Sequence, residues 1–225
     1  MRLIAFGCSN TFGQGLPDVW DVGKNKGIHN QGPSKYAWPK LLANKLDIEC
    51  VNTGVLGASN KEIWWNIINY DFQKTDIIII LWTYFNRHYI IHEDKKNISI
   101  GAWFENADPT GCHPTTPIAI NFFKYLHDEY DMQIDFYLRC NHVQSFLKNN
   151  VKLIKHYYPI NFGSLVMNIR ESVIQEPIWN TVKLSNTILG SQNIADVALD
   201  HAHPGLATHK YFAEEIYNEI KNEIT

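Results

Sequence analysis

Residues 76–82 read Asp-Ile-Ile-Ile-Ile-Leu-Trp, and no other segment restricts the fold as strongly. Side chains along a strand alternate between its two faces. A strand built from this run is therefore apolar on both sides and needs cover on both. That is the pattern of a central strand in a parallel sheet sandwiched between helices. The run is also far too short to cross a bilayer, which takes about 20 apolar residues.

Shorter segments on either side repeat the alternation of strand and helix. Residues 2–6 form an apolar run that breaks at Gly7-Cys8-Ser9-Asn10. Residues 36–46 carry Trp38, Leu41, Leu42 and Leu46 at helical spacing, with Pro39 tolerable in a first turn. A short strand over 49–52 leads into Thr53-Gly54-Val55-Leu56-Gly57, after which Ser59 or Asn60 can cap a helix bearing Ile63, Trp64, Ile67 and Ile68. Residues 118–147 return to a helical pattern, with Phe122, Leu126, Tyr130, Ile134, Leu138 and Phe146 on one stripe. A strand over 151–157 follows, residues 173–189 hold one or two helical pieces, and 206–224 read as a closing helix with Phe212, Ile216 and Ile220 inward. Strands alternating with helices predict βαβ units and a mostly parallel sheet in one α/β domain over 1–225. The polar, Gly- and Pro-bearing stretch 93–117 is expected to be a flap or insertion.

Charge and cysteine usage exclude other classes. Net charge is −3, and the densest basic run is Lys95-Lys96, so electrostatic capture of nucleic acid is not expected. Cys8, Cys50, Cys112 and Cys140 are far apart, with no C-x-x-C pair, which predicts free thiols rather than a zinc site or a disulfide framework. The first apolar run is too short for a signal peptide, so the expected location is cytoplasmic, with no membrane partner.

Functional groups of open α/β sheets gather where strands end, which directs attention to the two ends of the chain. Ser9 follows the first strand, where its hydroxyl can enter the crevice and its N–H can face an oxyanion. Gly-Ser-Asn loops are also ordinary turn chemistry. Asp200 precedes His203 by three residues, a spacing that lets the carboxylate fix one imidazole nitrogen and leave the other as a base. A polar cap on the closing helix, or a metal-binding pair of His201 and His203, accounts for the same residues. His209, one turn into the closing helix, reads as a surface or packing residue.

Taken together, Gly7-Cys8-Ser9-Asn10-Thr11-Phe12-Gly13, Asn52-Thr53-Gly54-Val55-Leu56-Gly57 and Asp200-His201-Ala202-His203-Pro204-Gly205 resemble the motifs of the SGNH, or GDSL-type, hydrolase superfamily. The helix at Ala37-Trp38-Pro39-Lys40 resembles that family too. The resemblance implies a three-layer flavodoxin-like fold and an esterase that works through an acyl-serine, on a small-molecule or glycan ester, without cofactor or metal. In that reading Ser9 is the nucleophile, His203 the base and Asp200 its orienter, while the N–H groups of Ser9 and Gly57 bind the oxyanion. Two departures stand out. Cys8 replaces the family's aspartate and is a second, less well aimed nucleophile candidate. After the central strand the family's Gly-x-Asn-Asp becomes Thr83-Tyr84-Phe85-Asn86-Arg87, where Asn86 is the candidate third oxyanion donor. Thr83 and Arg87 are its substitutes and the candidate substrate-binding residues. This variant resembles a branch of the superfamily often met in bacteriophage genomes. A glycan-recognising module that has kept the fold and lost turnover is the alternative, and Arg87 also suits a phosphate-containing substrate.

Overall fold

A computed structural model of the chain describes residues 1–28, 31–85, 87–91, 93, 98–101, 116–158, 184–185 and 195–224. Five strands make the main sheet: β1 (Arg2–Gly7), β4 (Glu49–Asn52), β5 (Ile77–Leu81), β8 (Leu153–Tyr157) and β9 (Leu184–Ser185). They lie in the order β4-β1-β5-β8-β9, and every neighbouring pair is parallel. Counted in chain order, this is 2-1-3-4-5, the flavodoxin-like arrangement, with its topological switch point between β1 and β5.

Strand β5 sits at the centre, and its isoleucines divide between two cores. Ile78 and Ile80 join Ile4 and Phe6 against α3 (Asn60–Ile68) and α5 (Glu129–Leu147), through Ile63, Ile67, Phe136, Cys140 and Val143. Ile77, Ile79 and Leu81 join Leu3 and Ala5 against α2 (Trp38–Leu46) and α6 (Leu206–Ile220), through Leu42, Phe212 and Ile216. Burial on both faces, expected from the uninterrupted apolar run, arises because successive residues feed opposite helical layers.

The start of β5 is tied to β1 by charge. Arg2 Nε and Nη2 donate to the two oxygens of Asp76, at 3.0 and 2.7 Å, and Gln73 N–H donates to the same carboxylate at 2.8 Å. Burial pushes the Asp76 acid upward, but the guanidinium and the Gln73 N–H outweigh it and hold the group below the usual carboxylate range. Its contribution to stability is therefore present above that range and is lost as pH falls through the folded value. Arg2→Leu strands the carboxylate with one donor, and chemical denaturation is expected to show a loss of about 1–3 kcal/mol at neutral pH. The difference from wild type should shrink in acid.

Outside the sheet the sequence reading needs correction. The expected helix over 118–147 is two helices, α4 (Thr116–Tyr125) and α5. They part at Asp128, whose carboxylate accepts from Tyr130 N–H (2.9 Å) and Asp131 N–H (3.0 Å) as an N-cap. The buried face of α5 is Gln133, Phe136, Tyr137, Cys140, Val143 and Leu147. The expected stripe faces the other way, with Leu126 71% and Leu138 58% exposed. Helix α5 carries apolar residues on two sides, and the row through Tyr130, Ile134 and Leu138 is as regular as the buried one. Within the expected flap, Ile98–Gly101 (β7) pairs antiparallel with Arg87–Ile90 (β6), while 102–115 lie outside the described residues. So do the helical pieces expected at 173–183 and 186–189. Residues 184–185 are β9, not helix. A small hairpin of β2 (Trp20–Asp21) and β3 (Lys26–Gly27) completes the described strands. No helix among the described residues is long and apolar enough to cross a membrane.

Candidate active site

At the carboxyl end of β1, Gly7 leads into the single-turn helix α1 (Ser9–Phe12), closed by Gly13 with its N–H on Ser9 carbonyl at 2.9 Å. The turn is held by the loop after β4. Asn52 Nδ2 donates to Thr11 carbonyl at 2.7 Å, and Asn52 Oδ1 accepts Gly54 N–H at 2.9 Å. Val55 N–H reaches Gly7 carbonyl at 3.0 Å. A Cβ on Gly54 would lie 2.4 Å from Phe12 N, so only glycine lets the two loops approach this closely. The segment Asn52-Thr53-Gly54 is thus a clamp on the backbone that carries Ser9.

The other half of the site comes from residues 196–205, folded back on themselves. Ala198 N–H donates to His203 carbonyl at 2.8 Å, and Gly205 N–H to Asp196 carbonyl at 3.0 Å. Asp200 Oδ1 accepts the N–H groups of Ala202 (3.0 Å) and His203 (3.1 Å). Its Oδ2 lies 2.6 Å from His203 Nδ1, and His203 Nε2 lies 3.0 Å from Ser9 Oγ. Burial pushes the Asp200 acid upward, but the Ala202 and His203 donors outweigh it and hold the carboxyl below the usual range. An ionised carboxylate only accepts, so the imidazole proton sits on Nδ1 and the Nε2 lone pair faces Ser9. Residues 9 and 200–203 are in this way brought into one hydrogen-bonded line.

Two side chains that hold this segment were not legible in advance. The Asp196 carboxylate accepts Ala207 N–H and Thr208 N–H, each at 2.9 Å, and so caps α6 from ten residues upstream of its first full turn. A cap so far from the helix start leaves no local sequence signal. His209, expected at the surface or in packing, is completely buried. Its Nδ1 accepts Trp38 N–H at 3.1 Å, tying α6 to the first turn of α2, and burial pushes its pKa down to about 4, so it stays neutral.

The remaining candidates are distributed unevenly. Gly57 adopts φ 73° in the loop beside Ser9, and neither Ser9 N–H nor Gly57 N–H has a backbone acceptor among the described residues. Asn86 lies outside the described residues. Thr83 is completely buried, and its backbone is clasped by Asn60, which accepts Thr83 N–H at 2.7 Å and donates to its carbonyl at 3.0 Å. The Thr83 hydroxyl is itself buried, with no hydrogen-bond partner among the described residues. Ser59, not Asn60, caps α3, accepting Glu62 N–H at 3.2 Å. Asn60 is the first residue of α3, and its amide holds the loop after β5. Arg87 is partly exposed, with Nη1 3.5 Å from Ala58 carbonyl and the guanidinium 5.4 Å from the Tyr84 ring centre. Cys8 is buried, with Sγ 4.0 Å from Ser9 Oγ, and the imidazole meets Ser9 rather than the thiol. A cavity of about 410 Å³ borders Asn60, Arg87, His88, Asp135 and Arg139. Neither Ser9, Asp200 nor His203 lines it.

No protein-family model and no curated protein matches the chain. Several solved structures do match it. A lipolytic protein of the G-D-S-L family from Desulfitobacterium hafniense aligns at TM-score 0.50 and 12% identity, over 96% of this chain and 98% of that one. An acetyl xylan esterase from Butyrivibrio proteoclasticus aligns at 0.52 and 16%, over 99% of this chain and 64% of that one. An acetylxylan esterase from Geobacillus stearothermophilus aligns at 0.52 and 17%, over 97% and 93%. With its 2-1-3-4-5 parallel sheet and the site at the switch point, the chain has the fold of the SGNH, or GDSL-type, hydrolases.

Proposed function

We propose that the chain is a serine hydrolase that cleaves acyl esters, acetyl esters of carbohydrate alcohols among them, through an acyl-serine intermediate. The observation that carries this reading is the line from Asp200 through His203 to Ser9, with contacts of 2.6 and 3.0 Å. Ser9 Oγ attacks the ester carbonyl while His203 Nε2 takes its proton. The oxyanion that forms accepts from the N–H groups of Ser9 and Gly57, and Asp200 balances the imidazolium. Collapse of this intermediate expels the alcohol, which takes the proton from Nε2. Water then attacks the acyl-serine, again giving its proton to His203, and the acid leaves with Ser9 restored.

Two observations favour a small acyl group. Ser9 is only 3% exposed, so a bulky acyl chain has little room at the nucleophile. Two of the fold neighbours act on acetylated xylan. Arg87, at the edge of the site, is the candidate contact for the alcohol portion. The glycan-binding alternative draws on one feature, the departure of residues 83–87 from the family's Gly-x-Asn-Asp pattern, with the Thr83 hydroxyl buried.

Covalent capture separates the two. A small fluorophosphonate is expected to add to Ser9 Oγ with loss of fluoride, and mass spectrometry of the peptide should place the adduct on Ser9. 4-Nitrophenyl acetate should be hydrolysed by the unlabelled protein and spared by the labelled one. An unlabelled Ser9 together with no ester turnover would leave the binding-module reading in possession.

A further inference from the structure

Gly15 lies outside the line of reacting groups, yet it is pressed against one of them. Its backbone has φ +82°, in the left-handed region. A Cβ built on it would stand 2.5 Å from Asp200 Cγ, and 2.6 and 2.7 Å from the two carboxylate oxygens. Those are closer than nonbonded heavy atoms can pack, and all three are atoms of a single functional group. Gly15 carbonyl also accepts Leu199 N–H at 3.0 Å, immediately before Asp200. The backbone at residue 15 is therefore at once a wall behind the carboxylate and an anchor for the loop that bears it.

From this contact we infer that Gly15 is a positioning residue for the proposed hydrolysis: it sets where the Asp200 carboxylate stands, and through Asp200 the aim of His203 at Ser9. The inference rests on the proposed function for its catalytic consequence, but the contact itself can be tested without turnover. Asp200 has little freedom to yield, because Oδ1 is held by two N–H groups and Oδ2 by the imidazole. A methyl group at residue 15 must push the carboxylate, the loop through Leu199, or both. Either movement lengthens the 2.6 Å contact to Nδ1, and misplacement of a reacting array by about 1 Å can cost 10²-fold in rate.

The deciding experiment is a double-mutant cycle of Gly15→Ala and Asp200→Ala, read by thermal denaturation and by ester turnover. Asp200→Ala deletes all three atoms that the new methyl would meet, together with the acceptor of the Ala202 and His203 N–H groups, a loss common to both Asp200→Ala proteins. The expected result is that Gly15→Ala lowers the melting temperature markedly in the wild-type background and much less in the Asp200→Ala background. If Gly15→Ala alone does not fold, the double variant should fold. In turnover, Gly15→Ala should reduce kcat about 10²-fold with KM little changed, and the NMR titration of the His203 imidazole should shift away from the wild-type midpoint. Equal destabilisation in the two backgrounds, or failure of both Gly15→Ala proteins to fold, would overturn the inference, because backbone strain at residue 15 alone would then explain everything. A wild-type protein without esterase activity would sink the proposed function and leave the melting and imidazole measurements to decide on Gly15.

Discussion

Ser9→Ala is expected to bring ester turnover down by about 10⁴- to 10⁶-fold, close to the level of solution hydrolysis with a contribution from binding alone. The size follows from what the hydroxyl does. It is the atom that bonds to the acyl carbon, and His203 Nε2, at 3.0 Å, then has no proton to take from it. Water could occupy the vacated volume and be activated by the same imidazole, which sets the lower bound of the effect. Stability should change little, since the lost hydroxyl leaves the Nε2 acceptor of a partly exposed His203, which water can reach, and the clamp from Asn52 to Thr11 is on the backbone. Steady-state kinetics on 4-nitrophenyl acetate, paired with a melting curve, checks both halves. Retention of wild-type turnover in Ser9→Ala would end the acyl-serine mechanism and turn attention to Cys8, whose Sγ is 4.0 Å from the same oxygen.

Asp200→Asn should come next in magnitude, at about 10⁴-fold in kcat. An amide is nearly isosteric with the carboxylate, so the two N–H donors from Ala202 and His203 can still meet its oxygen. With that oxygen in place the face toward Nδ1 presents an NH₂; with the amide flipped it presents an uncharged carbonyl and turns the NH₂ on the two N–H groups. In the first case the imidazole must carry its proton on Nε2, where it cannot act as a base. In the second, the imidazolium formed during attack loses its counter-charge. The pH–rate profiles of the two proteins should be compared through the neutral range, where wild-type Asp200 is ionised because its folded value is held below the usual carboxylate range. An Asp200→Asn protein within tenfold of wild type across that range would show that the carboxylate only organises the loop.

How far this was legible in the sequence depended on the range of the interaction. Strand β5 was readable because burial on two faces demands an unbroken apolar run, and four isoleucines with Leu81 supply it without reference to any neighbour. Ser9, Asp200 and His203 could be singled out because each lies in a short motif at a chain break, and the βαβ order gave a reason for the motifs to converge. The side chains that hold those motifs in place were not readable. Asn60 on Thr83, Asp196 on α6 and His209 on Trp38 each join segments that are distant in sequence or in a register only the fold defines. Helix α5 failed for a different reason. Its two apolar rows, one through Phe136 and Cys140 and one through Ile134 and Leu138, are equally periodic, and only the position of the sheet selects between them.

Ser9 and His203 touch across a sequence separation of 194, and that separation has a consequence in time. During synthesis the nucleophile emerges before its base, which follows only after every strand of the described sheet has been made. Nucleophile and base cannot meet until the segment ahead of α6 docks beside β1, so a partly made or partly folded chain carries an inert serine. Recovery of esterase activity during refolding should accordingly lag behind recovery of helical circular dichroism. The late, long-range closure of that segment onto the turn after β1 becomes the event that switches the chemistry on.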